Sequence, residues 1–184
     1  SLNFGVGFGT DAGALLDVTL RERNLLGKGQ NLSFSTQLAA SKTAFNLSFT
    51  EPYFRGRDVA AGVDLFHIER DRQDVSSYDL KNTGAAVRTS FPLSEQVRQS
   101  WKYGYTVTDI TKIATTASSL IKAQEGTRQI SEIGHVIVHD TRDSKLSPTS
   151  GNKISMSNDL AGLGGDVSYF RNDLSGTNYY SPLK

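Results

Sequence analysis

Apolar and polar residues alternate with a period of two along most of this chain, which is the pattern of a half-buried β-strand. The first strand is predicted over 2–9, where one face carries Leu2, Phe4, Val6 and Phe8 and the other carries Asn3, Gly5, Gly7 and Gly9. The clearest alternation spans 97–108, where Trp101, Tyr103 and Tyr105 share one face. Further strands are predicted over 14–23, 32–38, 45–50, 59–70, 78–91, 127–141 and 153–160, with pieces of one or two last strands over 167–170 and 178–182.

The length of these strands favours one fold class. There are about ten of them, many about 9 to 13 residues long, whereas the strands of soluble domains average about five or six residues. Tilted strands of roughly 9 to 11 residues are what a bilayer crossing requires. We therefore predict an all-β fold, an antiparallel transmembrane β-barrel. The alternative is a soluble β-sandwich or ligand-binding barrel, in which the face of Trp101, Tyr103 and Tyr105 would form the core.

Residues 110–125 break the period of two. Apolar residues recur there at helical spacing, and Gly126 is a plausible stop signal, so the segment predicts a short amphipathic helix between two strands. Such a helix could bind a partner or lie on a membrane surface, but packing within its own loop is the simpler interpretation.

Composition excludes several classes of function. The 184 residues include 20 basic and 19 acidic side chains, a net charge of +1, so no basic field favours nucleic acid as a partner. Cysteine is absent, which excludes disulfides and thiolate metal sites. No signal peptide is visible, and no apolar run approaches the roughly 18 residues of a membrane helix. A membrane barrel remains compatible, because every second residue of its strands faces water.

The candidate chemistry is weak. The glycines at 5, 7 and 9 resemble a phosphate-binding loop, but such a loop must open a helix, and here another strand follows. His135 and His139 would lie about 13 Å apart along one strand, too far to share a metal ion. Asp140 and Asp143 are expected to accept backbone N–H groups in a turn, with Arg142 pairing locally. We therefore predict neither an enzyme nor a cofactor or metal site.

Five motifs in series carry a family resemblance. They are the strand Phe4–Thr10, the turn Asn24–Gly29, the turn Glu51, Pro52, Tyr53 and Phe54, the hairpin of Asp140, Arg142 and Asp143 with Pro148 and Gly151, and the loop of Gly162, Gly164, Gly165 and Asp166. In this order they resemble the BamA-like outer-membrane protein assembly factors of Gram-negative bacteria. The resemblance covers essentially the whole chain.

The resemblance implies a larger protein, in which an array of POTRA domains precedes a 16-stranded barrel. Residues 1–184 would be the N-terminal portion of that barrel domain, about ten strands, without the POTRA array or the C-terminal strands. The Val-Arg-Gly-Phe loop motif of the family is not found. A related secretion transporter would share these strands and is a second possibility. The 110–125 helix would be extracellular, and the turns at Pro52, Pro92 and Pro148 would be periplasmic.

The resemblance also implies a mechanism. The family's first strand belongs to a weak seam that opens laterally, so residues 2–9 would offer their backbone edge to a client strand during folding and insertion. The expected partners are outer-membrane lipid, nascent outer-membrane β-barrel proteins and accessory assembly lipoproteins, in the outer membrane. Ten strands would leave two open edges, so we also expect self-association or edge pairing with another chain.

Overall fold

The computed structural model describes residues 1–9, 13–73 and 78–181. Ten strands account for most of these residues: β1 (Leu2–Gly9), β2 (Gly13–Leu25), β3 (Gln30–Ala39), β4 (Lys42–Glu51), β5 (Ala60–Asp71), β6 (Asp79–Pro92), β7 (Val97–Thr111), β8 (Gly126–Asp140), β9 (Ser150–Ala161) and β10 (Tyr169–Tyr180). A 3-10 turn spans Phe54–Gly56, and one short helix, α1, spans Ser119–Lys122. The described ranges hold no helix with the length and apolarity that a membrane crossing needs.

The strands form one open antiparallel sheet in chain order, each paired with the next along the chain. This meander follows from the short connections, since a tight turn can join only antiparallel neighbours. The predicted all-β antiparallel fold of about ten strands is confirmed. The turns at Pro52, Pro92 and Pro148 share one end of the sheet and 110–125 lies at the other, as predicted, while the compartment that each end faces stays a prediction. Residues 10–12, which follow the first strand and include the end of the Phe4–Thr10 motif, and 74–77, before β6, lie outside the described residues.

Two element predictions need correction. The helix over 110–125 is wrong in extent, because β7 continues to Thr111 through the pairing of Ile110 with Gly126 and only Ser119–Lys122 is helical. The hydrogen-bonded pairing of β7 with β8 outweighs the helical spacing here. The serines and threonines of this segment also favour helix caps over helix interiors. Ser118 caps the remaining turn by accepting from the Ile121 amide. The last strand pieces are one continuous strand, β10, which pairs with β9 along its whole length.

The two faces of the sheet stay distinct across the strands because the register preserves the alternation. One row of successive register partners is apolar throughout: Leu32, Phe49, Val63, Val87, Tyr103, Ile133, Leu160 and Phe170. These side chains are not covered, since Val87 is 53 % exposed and Phe170 is 67 % exposed. Trp101, Tyr103 and Tyr105 lie on this apolar face and remain partly exposed. The β-sandwich alternative is therefore wrong, because the described residues form no second sheet to cover this face.

The opposite, polar face carries the neighbouring row, here called the charge row. Its register partners are Thr50, Gly62, Arg88, Lys102, Gly134, Asp159 and Arg171. Arg88 reaches across Gly62 to Asp64, with Nε 2.9 Å from Oδ2, and also donates to Ser48 and Thr50. A Cβ on Gly62 would lie 2.7 Å from the Arg88 Cζ, so glycine makes room for the guanidinium.

Candidate functional site

The free backbone edge of β1 is the candidate site. Among the described residues β1 pairs only with β2, through eight register positions from Leu2 opposite Leu20 to Gly9 opposite Gly13. By comparison, β6 and β7 share fourteen positions. On the apolar face Phe4 is 68 % exposed and Val6 is 74 % exposed. The strand bounds predicted for the client-pairing residues, 2–9, are confirmed, and their role stays a prediction.

The polar face of β1 is almost bare because Gly5 and Gly7 contribute no side chain. A Cβ on Gly5 would meet the Cβ of Asp17 at 3.7 Å, and one on Gly7 would meet Leu15 at 3.9 Å. These are ordinary contact distances, so no close approach requires glycine at either position. What the glycines do is remove cross-strand side-chain pairs, which are the unit of sheet stabilisation. On this face the β1–β2 pairing therefore relies mainly on backbone hydrogen bonds, while Phe4 and Val6 keep Val18 and Leu16 as partners on the apolar face.

The family turn motifs lie far from this edge and have structural contacts. At the β4–β5 turn, Glu51 accepts from the side chain of Gln30 at 2.8 Å and from the Tyr53 amide at 3.1 Å. These bonds fix the start of the turn, and Pro52 is the residue between Glu51 and Tyr53. Phe54 opens the 3-10 turn and its amide donates to the Val59 carbonyl at 2.8 Å.

The β8–β9 turn is organised by its two aspartates, as the sequence predicts. Arg142 donates to both oxygens of Asp140, at 2.8 and 2.7 Å. Asp143 accepts from the amides of Ser144, Thr149 and Ser150 and from the Thr149 hydroxyl. The hydroxyl and amide of Thr149, with the other amides, lower the pKa of Asp143 to about 2.

Gly151 is required in this turn for two reasons. Its φ is +100°, a conformation that L residues rarely adopt, and a Cβ there would lie 2.3 Å from the Thr141 carbonyl oxygen. The neighbouring Arg142 also reaches the last strand, where its guanidinium lies 5.7 Å from the ring centroid of Tyr179. The turn thus ties β8, β9 and β10 together at one end of the sheet.

The loop of Gly162, Gly164, Gly165 and Asp166 folds onto the end of β8 that β9 does not reach. The Gly162 amide donates to the Ser131 carbonyl, and the Asp166 amide donates to the Gln129 carbonyl at 2.8 Å. In return the Gln129 amide donates to the Asp166 carboxylate at 2.8 Å. A Cβ on Gly165 would lie 2.6 Å from the Gln129 carbonyl oxygen, so this contact requires glycine. We call this contact the 162–166 latch.

The site has the features of an interaction edge. The structure does not bring the turn motifs together with β1, since they lie at the ends of other strands. The described residues contain no group of three or more metal-binding side chains. His135 packs on Trp101 with ring centroids 4.4 Å apart, and so occupies the apolar face. The sequence does not predict the contact of Arg88 with Asp64, because that contact depends on the register between β5 and β6, which only the structure shows.

Comparisons with known proteins agree on one relationship. The Omp85 superfamily domain matches residues 24–184. An outer membrane protein assembly factor BamA from Nitratidesulfovibrio vulgaris is 33% identical over 171 residues, which cover 91% of this chain and 21% of the relative. The mouse Sorting and assembly machinery component 50 homolog is 27% identical over 172 residues, covering 90% of this chain and 35% of that protein.

A solved structure agrees in fold. The crystal structure of BamA from Haemophilus ducreyi lacking POTRA domains 1-3 aligns with a TM-score of 0.72 at 23% identity, covering 97% of this chain and 37% of that one. The chain thus spans between about a fifth and somewhat more than a third of the length of these proteins. Because the family match extends over most of the sheet, from the end of β2 onward, this chain belongs to the Omp85 superfamily.

Proposed function

We propose that this chain is part of an outer-membrane β-barrel that folds and inserts other β-barrel proteins, with the free edge of β1 as the place where a client strand pairs. The relatives named above are assembly components, and their names describe no enzyme. The single observation that carries the mechanism is the β1 edge, which among the described residues pairs only with β2 and has a polar face left almost bare by Gly5 and Gly7.

The chemistry of the edge suits reversible pairing. An incoming strand needs only the N–H and C=O groups that β1 directs away from β2, so it gains backbone hydrogen bonds without a matching side chain. Separating β1 from β2 costs little free energy, because Gly5 and Gly7 supply no side chains for cross-strand contacts. No bond is made or broken covalently, so the mechanism uses no catalytic residue and no cofactor.

The partners follow from the two faces. Outer-membrane lipid contacts the apolar face, and the polar face lines the interior, as in other membrane barrels. Nascent outer-membrane β-barrel proteins are the clients at β1. Accessory assembly lipoproteins are proposed on the family resemblance alone, as is a 16-stranded parent barrel with a POTRA array. Self-association through open edges also stays a prediction, which light scattering in detergent would test.

The absence of cysteine makes a cross-linking test direct. Single cysteines replace Phe4 and Val6, which lie on the exposed face of β1. A matched variant, Val63→Cys, places the thiol on β5, which has strands on both sides. A client peptide that corresponds to the last strand of an outer-membrane barrel carries one cysteine, and disulfide formation is measured under mild oxidation in detergent.

We expect disulfides with the client at positions 4 and 6 and none above background at 63, because β1 has an unpaired edge while β5 is paired on both sides. The yield should alternate with peptide register, since neighbouring strand residues lie on opposite faces. Equal cross-linking at all three positions would indicate non-specific association. A yield at 63 that exceeds the yield at 4 and 6 would refute the β1 edge as the client site.

A further inference from the structure

A cleft beside the β4–β5 turn has the composition of an anion-binding site. Its volume is about 360 Å³ and it is lined by Phe54, Arg55, Arg57 and Val59. Two arginines therefore line it together with one aromatic and one aliphatic residue. Neither arginine side chain forms an ion pair or a hydrogen bond with any described residue. The Arg55 guanidinium lies over the Phe54 ring, 5.5 Å from its centroid.

The acidic residues nearby are engaged elsewhere. Asp58 stands between Arg57 and Val59 in the chain, and its carboxylate is 3.7 Å from the Arg98 guanidinium. Glu51 accepts from Gln30 and from the Tyr53 amide. The positive charge of Arg55 and Arg57 is thus left without a carboxylate partner. Arginine suits this position, because its planar fork can bind two oxygens of a phosphate at once.

The backbone holds the two arginines in place. The Gly56 amide donates to the Tyr53 carbonyl at 3.0 Å, and the Val59 amide donates to the Arg57 carbonyl at 2.7 Å. Arg55 has φ +55° and Gly56 has φ +74°, so two consecutive residues are in the left-handed region. A non-glycine residue in that region carries strain, which a fixed turn must offset. These bonds fix the backbone of the turn from which both arginine side chains extend.

The position of the cleft indicates which anion fits. Val59 continues the alternation of Val63 and Leu65 on the apolar face, and these two side chains are 45 % and 48 % exposed. Tyr53 is 64 % exposed and Phe54 is 46 % exposed at the same end. An amphiphile whose chains lie along the apolar face of β4 and β5 would bring its headgroup to the two arginines.

We propose that the cleft of Phe54, Arg55, Arg57 and Val59 binds the phosphate of an anionic phospholipid, with the acyl chains along the apolar face of β5. This site would fix one lipid at the end of the sheet that holds the proline-containing turns. The lipid site is separate from the client edge, which lies on β1. It rests on the proposed function only because the outer membrane would supply the lipid.

The test measures lipid binding to the full 184-residue chain in neutral detergent micelles. Phosphatidylglycerol is titrated and bound lipid is counted by native mass spectrometry. Neutral micelles matter, because an anionic surface attracts every exposed Lys and Arg and would hide a specific site. The test variant is Arg55→Gln with Arg57→Gln. The matched control is Lys28→Gln with Lys145→Gln, which removes the same charge from two exposed turn positions at the same end of the sheet.

We expect the arginine variant to bind phosphatidylglycerol about tenfold more weakly, since it loses charge-assisted hydrogen bonds to the phosphate. The lysine control should retain the affinity of the parent chain. Inorganic phosphate in large excess should not displace the lipid, because the apolar lining recognises the rest of the molecule. Equal weakening by both variants, or full displacement by inorganic phosphate, would overturn the assignment of a lipid site.

The failure of this inference is distinguishable from failure of the proposed function. Circular dichroism and heat-dependent gel migration report whether each variant forms a β-structure in detergent. A chain that folds in micelles but binds the lipid independently of Arg55 and Arg57 contradicts the lipid site alone. A chain that is a stable aqueous monomer without detergent contradicts the membrane barrel itself.

Discussion

Replacing Gly165 with alanine should detach the 162–166 latch from the end of β8. A Cβ at this position would lie 2.6 Å from the Gln129 carbonyl oxygen and 3.2 Å from the Ser131 amide nitrogen. Both neighbours are backbone atoms of a paired strand, so they cannot rotate away as a flexible side chain would. The loop must therefore lift from β8, and the hydrogen bonds between Gln129 and Asp166 should break.

The magnitude follows from those bonds. A neutral backbone hydrogen bond contributes about 0.5–1.5 kcal/mol net, and one to a charged acceptor contributes about 1.5–3 kcal/mol. The bond from Gln129 to the Asp166 carboxylate is exposed, so solvent screening reduces it toward the lower values. We expect the local opening of this amide to become easier by about 1–2 kcal/mol, which is roughly a tenfold increase in exchange rate.

Amide hydrogen exchange, read by NMR in micelles, measures this effect at single residues. Alternate residues of an antiparallel strand direct their amides to opposite sides, so Gln129 faces the latch and Ile130 faces β7. The Ile130 amide is therefore an internal control that should keep its protection. Asp166→Ala should reproduce the faster exchange at Gln129, because it removes the acceptor without a clash. Gly176→Ala is the matched substitution at a position where a Cβ meets nothing within 4 Å.

The reasoning fails if Gly165→Ala leaves exchange at Gln129 unchanged. It also fails if Gly176→Ala accelerates exchange at Gln129 to the same degree, because the effect would then arise from alanine in general. Faster exchange at Ile130 together with Gln129 would indicate that β8 itself unpairs from β7. In that case the loop would support the whole strand, and the latch would be the wrong description.

Three further predictions concern the turn, the client edge and the interior of the sheet. The pKa of Asp143 falls from 3.8 to about 2 on folding, so its contribution to stability is complete above about pH 4 and is lost as the pH falls through 2. Carbon NMR of its carboxyl group should show a midpoint near 2, and a midpoint near 3.8 would contradict the hydrogen bonds from Thr149. Alanine at Gly5 and Gly7 should strengthen the β1–β2 pairing by about 0.5–1 kcal/mol each and lower the yield of client cross-links. An unchanged cross-link yield in the Gly5 and Gly7 variants would argue that these glycines do not weaken the β1–β2 pairing. Gly84→Ala should instead destabilise the sheet, because a Cβ there would lie 2.7 Å from the Tyr105 carbonyl oxygen.

The alternation of side chains predicted the strands well because it reflects a physical asymmetry that acts at every residue. One face meets apolar surroundings and the other meets water, so a period of two is present wherever a strand is. β1 at 2–9 matches its prediction at both ends. The aspartates at 140 and 143 were also predictable, because carboxylates beside a turn bind nearby amides and need no distant partner.

The features that the sequence could not reveal depend on register or on tertiary pairing. The contact between Arg88 and Asp64 joins two strands whose relative alignment no single-chain pattern determines. The segment 110–125 has helical spacing, yet its first residues belong to β7, which pairs with β8. The need for glycine at 62 and 165 arises from the Arg88 guanidinium and from backbone atoms of β8, respectively, so it is visible only in the folded chain.

The charge row has a consequence for the fidelity of folding. A slip of one residue between two strands exchanges their faces and is strongly disfavoured, but a slip of two residues keeps every side chain on its own face. The hydrophobic pattern therefore does not exclude a slip of two residues. The charge row does not, because a slip of β6 by two positions would place Arg88 opposite Ala60 or Asp64 instead of Gly62. At either position a Cβ would occupy the space that the guanidinium crosses, so Gly62 and Arg88 together distinguish the native alignment from the nearest alternative with the same faces.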